Sequence, residues 1–312
     1  MNPPLVSILL PVFNGLPWVR ETLDSMLQQT LTDFEIIAIN DGSKDDSLTV
    51  LHSYNDPRIR VVDQENQGLA ATLNTAIAMA RGRYLARQDQ DDLSLPERLA
   101  RQVHFLDNHP DIGAVGTWAE IIDSNGTAIG MHKHPEHSAT LAEFLLWNNP
   151  FVHSSLMFRR TVFDSVGGYS TDRNRQPPED YELMSRVART WKTANIPEVL
   201  HRYREVRGSM SRVSSRPFEA KVVMLSAENW AFAQPGADPA LCCQAALFLN
   251  GLDPRPQQTK RRFSWLKLLS FIWFLGAPAQ QDRVINIQPS RALLVQVLKS
   301  FVKLLIYRRA IT

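Results

Sequence analysis

The sequence predicts an α/β fold in which strands and helices alternate about a largely parallel sheet, and three observations carry that prediction. Strand-length apolar runs recur at residues 5–10, 34–39 and 58–62. Segments with helical apolar spacing follow them. The first two runs and the second helix are marked by polar punctuation: Pro11-Val12-Phe13-Asn14-Gly15, Asn40-Asp41-Gly42-Ser43 and Asn66-Gln67-Gly68. In sheets of this kind ligands bind in the crevice outside the carboxyl ends of the strands, which is where the marked residues fall.

The elements follow in order. After the first strand, residues 17–29 read as a helix, with Pro17 suited to its start and Trp18, Leu23, Met26 and Leu27 as its apolar positions. Asn66-Gln67-Gly68 opens a helix over residues 69–81, and Gly82 suits its C-terminal cap. The strand-like run Arg83-Tyr84-Leu85-Ala86-Arg87 then leads into Asp89-Gln90-Asp91-Asp92. Three carboxylates crowded at a strand end repel one another unless a cation offsets them. Their hard oxygens suit Mg2+ or Mn2+, and such an ion completes its shell with phosphate oxygens. The same residues also read as a solvated acidic turn capping the helix that begins near Pro96. Farther on, Asp123-Ser124-Asn125-Gly126 is hairpin-like, residues 201–211 are strand-like, and residues 216–252 are helical.

Taken together in order and spacing, Pro11-Val12-Phe13-Asn14, Asn40-Asp41-Gly42-Ser43 with Asp45 and Ser47, Asn66-Gln67-Gly68-Leu69-Ala70, Ala80-Arg81-Gly82-Arg83-Tyr84 and Asp89-Gln90-Asp91-Asp92 resemble the family 2 glycosyltransferases, nucleotide-sugar-dependent enzymes of the GT-A fold. A sixth matching piece is Val166-Gly167-Gly168-Tyr169 followed by Pro178-Glu179-Asp180-Tyr181. The resemblance implies an inverting transfer from a nucleoside diphosphate sugar, with UDP favoured by family frequency alone. It implies Asp180, with Glu179 beside it, as the base that takes the acceptor hydroxyl's proton. It also implies Asp91 as the main metal ligand, Asp89 toward the ribose or donor sugar, and Asp92 as a second metal contact or a group orienting Asp91. Phe13 offers a face for the nucleotide base and Asp41 a carboxylate for its edge, while Pro11 and Asn14 shape the turn and Gly68 lets a loop approach the donor. Phe13 also reads as core, and Glu179 and Asp180 as first-turn helix residues complementing the dipole. His153 is a possible acceptor contact outside this set. One departure matters: the family often has a histidine two residues after the Tyr-Arg pair, where this chain has Val206. Arg204 or Arg207 is then expected to serve the phosphates, through a fork of donors that suits them but cannot ligate a metal.

At 312 residues and 44% hydrophobic, the chain can bury a substantial core. The two cysteines, Cys242 and Cys243, are adjacent and offer neither a metal spacing nor a disulfide framework, which favours a reducing compartment. No secretory-signal pattern is legible at the N-terminus. The net charge of +2 hides an asymmetry, since residues 255–312 carry eleven Lys or Arg against the single acid Asp282, leaving −8 on the rest. That segregation points to an anionic partner, and the apolar character of the tail favours membrane lipid over nucleic acid. Residues 263–279 fall near the lower length limit for a spanning helix. Residues 290–312 place Leu294, Leu298, Phe301 and Leu305 at helical spacing, with Gln296, Lys299 and Lys303 on another side, as in a basic interfacial helix. The alternative is a helical appendage packed on the protein or on another subunit.

The expected organisation is a GT-A domain over residues 1–215 (nucleotide half 1–92, acceptor half 93–215), a helical segment over 216–252, and a basic amphipathic tail over 253–312. Its expected location is the cytoplasmic face of the cell membrane, with a saccharide or lipid-linked acceptor. Two other functions compete: a sugar-nucleotide nucleotidyltransferase, for which the N-terminal Gly-rich phosphate loop is lacking, and an inactive binding module.

Overall fold

The computed structural model describes residues 3–206, 216–255, 264–273 and 291–309. The elements in chain order are β1 (Val6–Val12), α1 (Val19–Leu27), β2 (Phe34–Asp41), α2 (Ser47–His52), β3 (Ile59–Gln64), α3 (Leu69–Met79), β4 (Tyr84–Arg87), β5 (Leu93–Ser94), α4 (Arg98–Asn108), β6 (Ile112–Ile122), β7 (Ala128–His132), α5 (Ser138–Phe144), β8 (Met157–Arg159), α6 (Arg160–Val166), α7 (Glu179–Val187), β9 (Lys192–Arg204), α8 (Arg216–Ala233), α9 (Pro239–Leu249), α10 (Trp265–Trp273) and α11 (Arg291–Arg309). The chain forms two compact units, one of residues 1–136, 151–171 and 190–213, the other of residues 137–150, 172–189 and 214–312.

All nine described strands lie in the first unit and form one sheet ordered β3-β2-β1-β4-β8-β6-β9-β5, with β7 hydrogen-bonded to β6. The first half is parallel: β1 pairs with β2 and β4, and β2 with β3. The second half is mixed, since β8 runs antiparallel to both β4 and β6, while β6 and β9 are parallel. The expectation of a largely parallel sheet therefore holds only for the first four strands. Hairpin geometry explains part of the difference: Asp123 Oδ1 accepts from the N–H groups of Asn125 and Thr127, and the turn joins β6 to an antiparallel β7. The core of this unit lies on one face of β1 and β2, through Val6, Ile8, Leu10, Ile36 and Ala38, against Leu23 and Met26 of α1 and Leu99 and Leu106 of α4, and Leu9, Ile37 and Ile39 on the other face are buried as well. Strands buried on both faces read as continuous apolar runs, which is why periodicity finds them.

The cap assigned to Gly82 is corrected. Helix α3 ends at Met79, and Ala80 is already extended. Gly82 instead lies against β1, where an added Cβ would stand 2.5 Å from the Ser7 backbone nitrogen and 2.7 Å from the Val6 carbonyl carbon. The approach is fixed by Ser7 Oγ, which accepts from the N–H of Gly82 (2.8 Å) and donates to Glu35 Oε1 (2.7 Å). Glycine is needed there for contact rather than for handedness.

The second unit is helical in its described residues. Its core gathers Leu146, Trp147, Val223, Trp230, Ala245, Phe248 and Leu249 with Leu268 and Ile272 of α10 and Leu293 of α11. Trp265, Phe248 and Phe301 form a ring cluster with centroids 4.9–5.7 Å apart. The tail thus contributes to a protein core through Leu293, Val297 and Phe301. Leu294, Val295, Leu298 and Val302 stay exposed on the same helix. Phe301, expected with Leu294 and Leu298 on one face, belongs to the packed face, and the side chain of Leu305 lies outside the described residues. Within residues 263–279 the described helix is only the nine-residue α10, and no described helix is long and apolar enough to cross a membrane. Residues 207–215, 256–263, 274–290 and 310–312, on which parts of the expected strand and tail fall, lie outside the described residues.

Gly82→Ala should lower stability by roughly 1–3 kcal/mol or more, the usual cost of forcing atoms into a packed site, because the obstructing atoms are backbone. Thermal or urea unfolding of the purified variant measures it, and an unchanged midpoint would contradict the packing described.

Candidate active site

The acidic turn rests on buried polar residues of the first unit. Arg98, near the start of α4, is wholly buried, and its guanidinium donates to the Arg87 carbonyl (2.7 Å), Gln88 Oε1 (2.8 Å) and Ser94 Oγ (2.7 Å). Burial pushes this arginine down to about 9, so it remains cationic at neutral pH. Gln88 passes the support on, donating to the carbonyl of Asp92 (2.9 Å). Thr22 Oγ of α1 lies within hydrogen-bonding reach of the carbonyls of Gln90 and Asp92. The turn is therefore held from β4, α1 and α4 at once.

Its three carboxylates stand in different surroundings. Asp92 is 1% exposed. Its Oδ1 accepts from the Arg204 N–H (2.7 Å), and its Oδ2 accepts a short bond from Ser154 and lies 3.1 Å from His201 Nε2. His201 is itself fully buried; burial pushes its pKa down against the pull of Asp92, and Nδ1 has no partner among the described residues. A neutral ring with its proton on Nε2 satisfies that arrangement. Asp89 is partly exposed and its Oδ1 pairs with the buried Arg87 guanidinium at 2.7 Å. Asp91 is half-buried and forms no ion pair among the described residues. Its carboxyl is pushed up to about 8, first by burial and then by the charges of Asp89 and Asp92, against a smaller opposing effect of its own N–H and Arg87. A carboxylate so crowded is one that a cation would relieve. Asp91 and Asp89 thus fit a divalent ion, whereas the oxygens of Asp92 are already engaged. Among the described residues no three His, Cys, Asp or Glu side chains are grouped for a metal, so the expected ligand set of three carboxylates is not assembled.

The strand ends beside the turn hold the remaining expected residues. Phe13, 44% exposed, projects just past β1, its backbone held at two points by Gln90: its N–H donates to Oε1 (2.7 Å) and its carbonyl accepts from Nε2 (3.0 Å). Asn14 adopts a left-handed conformation (φ 51°), with its N–H donating to Ser43 Oγ and its Oδ1 accepting from the Lys44 N–H. Pro11 is buried within β1 opposite Ile39. Asp41 is buried and builds the neighbouring loop, accepting from the N–H groups of Gln67 and Gly68 (2.9 Å each) and from Gln64 Nε2 (2.8 Å). Gly68, at φ +85°, turns the chain into α3 with open space on the side where a Cβ would stand. Arg204, expected on the donor phosphates, is 2% exposed, and its guanidinium donates to the Asp91 carbonyl (2.8 Å), the Asp123 carbonyl (3.2 Å) and Glu21 Oε2 (2.7 Å). It braces the turn and the β6–β7 hairpin, which leaves its fork engaged. Arg207 lies outside the described residues.

Asp180 and Glu179 belong to the second unit, at the first turn of α7 behind Pro178. Glu179 is buried. Asp180 Oδ1 accepts from the Tyr181 N–H (2.7 Å) and Oδ2 from Asn149 Nδ2 (2.8 Å). Sequence reasoning passed over Arg98, His201, Ser154 and Asn149. Arg98 had a readable signal, a charged residue with Gln102 four positions on, beside Leu99, Val103 and Leu106 of the buried face. The others are isolated polar residues with no local pattern.

Asp92→Ala should destabilise the protein by several kcal/mol, since buried donors left without an acceptor cost roughly 1–3 kcal/mol each. Asp91→Asn should leave the midpoint nearly unchanged at neutral pH, where the raised carboxyl is already largely neutral, and raise it at higher pH, where a crowded charge would otherwise form. Denaturation of both variants in chelator checks the contrast, and equal losses would contradict it.

Known proteins share this framework. The family described as glycosyl transferase family 2 matches residues 7–167. The EpsE protein of Bacillus subtilis is 32% identical over 216 residues, 68% of this chain and 77% of that protein. The O-antigen biosynthesis glycosyltransferase WbnJ of Escherichia coli is 33% identical over 207 residues, 64% of this chain and 79% of that protein. Among solved structures, S. aureus TarS 1-349 in complex with UDP-GlcNAc superimposes with a TM-score of 0.63 at 16% identity, covering 99% of this chain and 92% of that one. The mannosyltransferase PcManGT of Pyrobaculum calidifontis, in complex with GDP-Man and Mn2+, gives 0.53 at 19% identity, covering 99% and 76%. At such identities the structural likeness speaks for the fold, which is GT-A.

Proposed function

The chain belongs to glycosyltransferase family 2 and is a glycosyltransferase, and from that premise we propose that it moves a sugar, with inversion, from a nucleoside diphosphate donor to an acceptor hydroxyl. The observation that carries the reading is the acidic turn, in which Asp92 is sealed into the protein while Asp89 and Asp91 keep carboxylate oxygens near the surface beside the exposed ring of Phe13. UDP is the favoured nucleotide, supported by the UDP-GlcNAc and UDP that TarS binds. A saccharide or lipid-linked acceptor in surface polysaccharide or glycolipid assembly is supported by the O-antigen role named for WbnJ.

In this reading Phe13 stacks on the nucleotide base, and the loop that Asp41 fastens at Gly68 lies along the donor. Asp91 and Asp89 would hold Mg2+ or Mn2+, which when bound offsets the charge gathering on the leaving diphosphate; PcManGT was solved with Mn2+. Asp180 takes the proton of the attacking hydroxyl, which is a poor nucleophile until a carboxylate accepts it. Asp92, His201, Ser154, Arg98 and Arg204 hold the turn that presents Asp89 and Asp91.

Product analysis over a panel of nucleotide sugars and acceptors tests the reading. Sugar transfer with release of nucleoside diphosphate is expected in Mg2+ or Mn2+, and excess chelator should abolish it; full activity in chelator would remove the metal from the mechanism. Asp180→Asn should lower turnover by a factor on the order of 10² or more with donor binding little changed. If Glu179→Gln loses turnover and Asp180→Asn does not, the base moves by one residue.

The membrane surface is the proposed partner of the tail. Leu294, Val295, Leu298 and Val302 form an exposed apolar stripe on α11, interleaved with Lys299 and Lys303 in a helix that has no acidic residue. Apolar burial and attraction of roughly 1 kcal/mol per basic residue to an anionic bilayer act together. The full chain should sediment with phosphatidylglycerol-containing vesicles at low salt, and the pair Leu298→Glu and Val302→Glu, which spares the packed face, should release it. A full chain that stays in the supernatant would overturn the proposal.

A further inference from the structure

The carboxylate proposed as base is held by a residue that no motif marks, Asn149. The segment that carries it follows α5 and is fastened to α7 and α8 by buried hydrogen bonds. The Leu145 carbonyl accepts from Tyr181 Oη (2.6 Å) and from Asn229 Nδ2 (2.7 Å), and the Leu146 carbonyl accepts from Ser226 Oγ. Tyr181 and Asn229 are buried, as are Leu146 and Trp147 in the core of this unit. The end of the segment is thereby set in place, and from it Asn149 Nδ2 donates to Asp180 Oδ2 at 2.8 Å. Asp180 itself follows Pro178 and Glu179 in the first turn of the helix that carries Tyr181.

The other end of the same amide supplies the second observation. Asn149 Oδ1 is buried and has no hydrogen-bond partner among the described residues. An amide is free to turn over and exchange its two ends, and leaving a buried carbonyl unpaired costs stability. In the reversed orientation Oδ1 would face the carboxylate oxygen, acceptor against acceptor, so the charge-assisted bond to Asp180 dictates which way the amide points. The residue tolerates an unsatisfied acceptor in order to keep a donor on Asp180.

We propose that Asn149 is the positioning residue of the base: its amide fixes the rotamer of Asp180 from the Oδ2 side while the Tyr181 N–H engages Oδ1, which orients the carboxylate for the acceptor's proton. The inference rests on Asp180 being the base, and it adds that Asn149 acts only through it. A proton acceptor that swings costs turnover without affecting the donor, because alignment matters in the transition state and the nucleotide is bound elsewhere in the chain.

The test is a double-mutant cycle on the full chain, reading kcat from UDP release with the best UDP-sugar of the panel, and donor binding from titration with UDP. Asn149→Ala should lower kcat about tenfold, the equivalent of one oriented hydrogen bond, with UDP affinity unchanged. Asn149→Asp, which keeps the volume and sets a carboxylate against a carboxylate, should lower it further, and either variant carries the test if the other fails to fold. The decisive reading is the double variant: Asn149→Ala with Asp180→Asn should lose no more than Asp180→Asn alone, whereas multiplied losses would mean that Asn149 acts independently and would overturn the proposal. Full kcat in Asn149→Ala beside an inactive Asp180→Asn would overturn it while leaving the base in place. Near-normal turnover in Asp180→Asn would remove both, since Asn149 would have nothing to act through.

Discussion

The burial of Asp92 is the constraint on which the acidic turn and the strand ends beside it depend. An ionised carboxylate removed from water is tolerated only when its oxygens are hydrogen-bonded. Here the partners come from widely separated stretches: the Arg204 N–H at the end of β9, Ser154 in the segment before β8, and His201 of β9. To satisfy one side chain the chain must bring residues 92, 154, 201 and 204 together, which locks the acidic turn to the second half of the sheet. Arg98 secures the other side, and its positive charge beneath the turn offsets part of the repulsion that three neighbouring carboxylates create. Turn, strand ends and first two helices then follow as a connected arrangement.

That anchoring separates residues that build the site from those that remain to face a ligand. Asp41 and Arg204 carry the functional groups a nucleotide binder would want, yet they are consumed by the 66–68 loop and by the acidic turn with its adjoining hairpin. Gln90, lying between two metal-type carboxylates, contributes a two-point hold on the Phe13 backbone. What is left outward is small: an aromatic ring at Phe13 and the carboxylates of Asp89 and Asp91. This economy is typical of precise sites, where the residues that touch the ligand are oriented by a larger set that does not.

The parts legible in sequence were those in which local pattern and tertiary role coincide. Buried parallel strands are apolar runs, and loops at their carboxyl ends must be polar and glycine-bearing, so β1, β2, β4 and the acidic turn could be read directly. Gly82 was misread because a glycine just after a helix has two physical uses, and only the approach of Ser7 tells a tight contact from a cap. The bracing role of Arg204 was not legible, because charge predicts chemistry and says nothing of what the guanidinium will meet. The tail shows a further limit of periodicity. Helix α11 has two apolar faces, one of Leu293, Val297 and Phe301 buried in the unit and one of Leu294, Leu298 and Val302 exposed. A single helical wheel cannot assign them, since protein core and bilayer favour the same side chains.

The two carboxylate systems also differ in how they are stabilised, and the difference bears on how such an enzyme can change. Around Asp92 the partners are side chains and one backbone N–H from distant strands of the sheet. Around Asp180 they are a helix N-terminus, whose N–H groups are oriented by the backbone itself, and one amide carried by a segment whose carbonyls are fastened to α7 and α8. Asn149 and Tyr181 donate to Asp180, while Ser154, His201 and Arg204 surround Asp92. The larger cost of exposure or unpairing falls on Asp92, whose buried oxygens depend on residues far apart in the chain, whereas the bonds to Asp180 come from its own helix and one neighbouring segment.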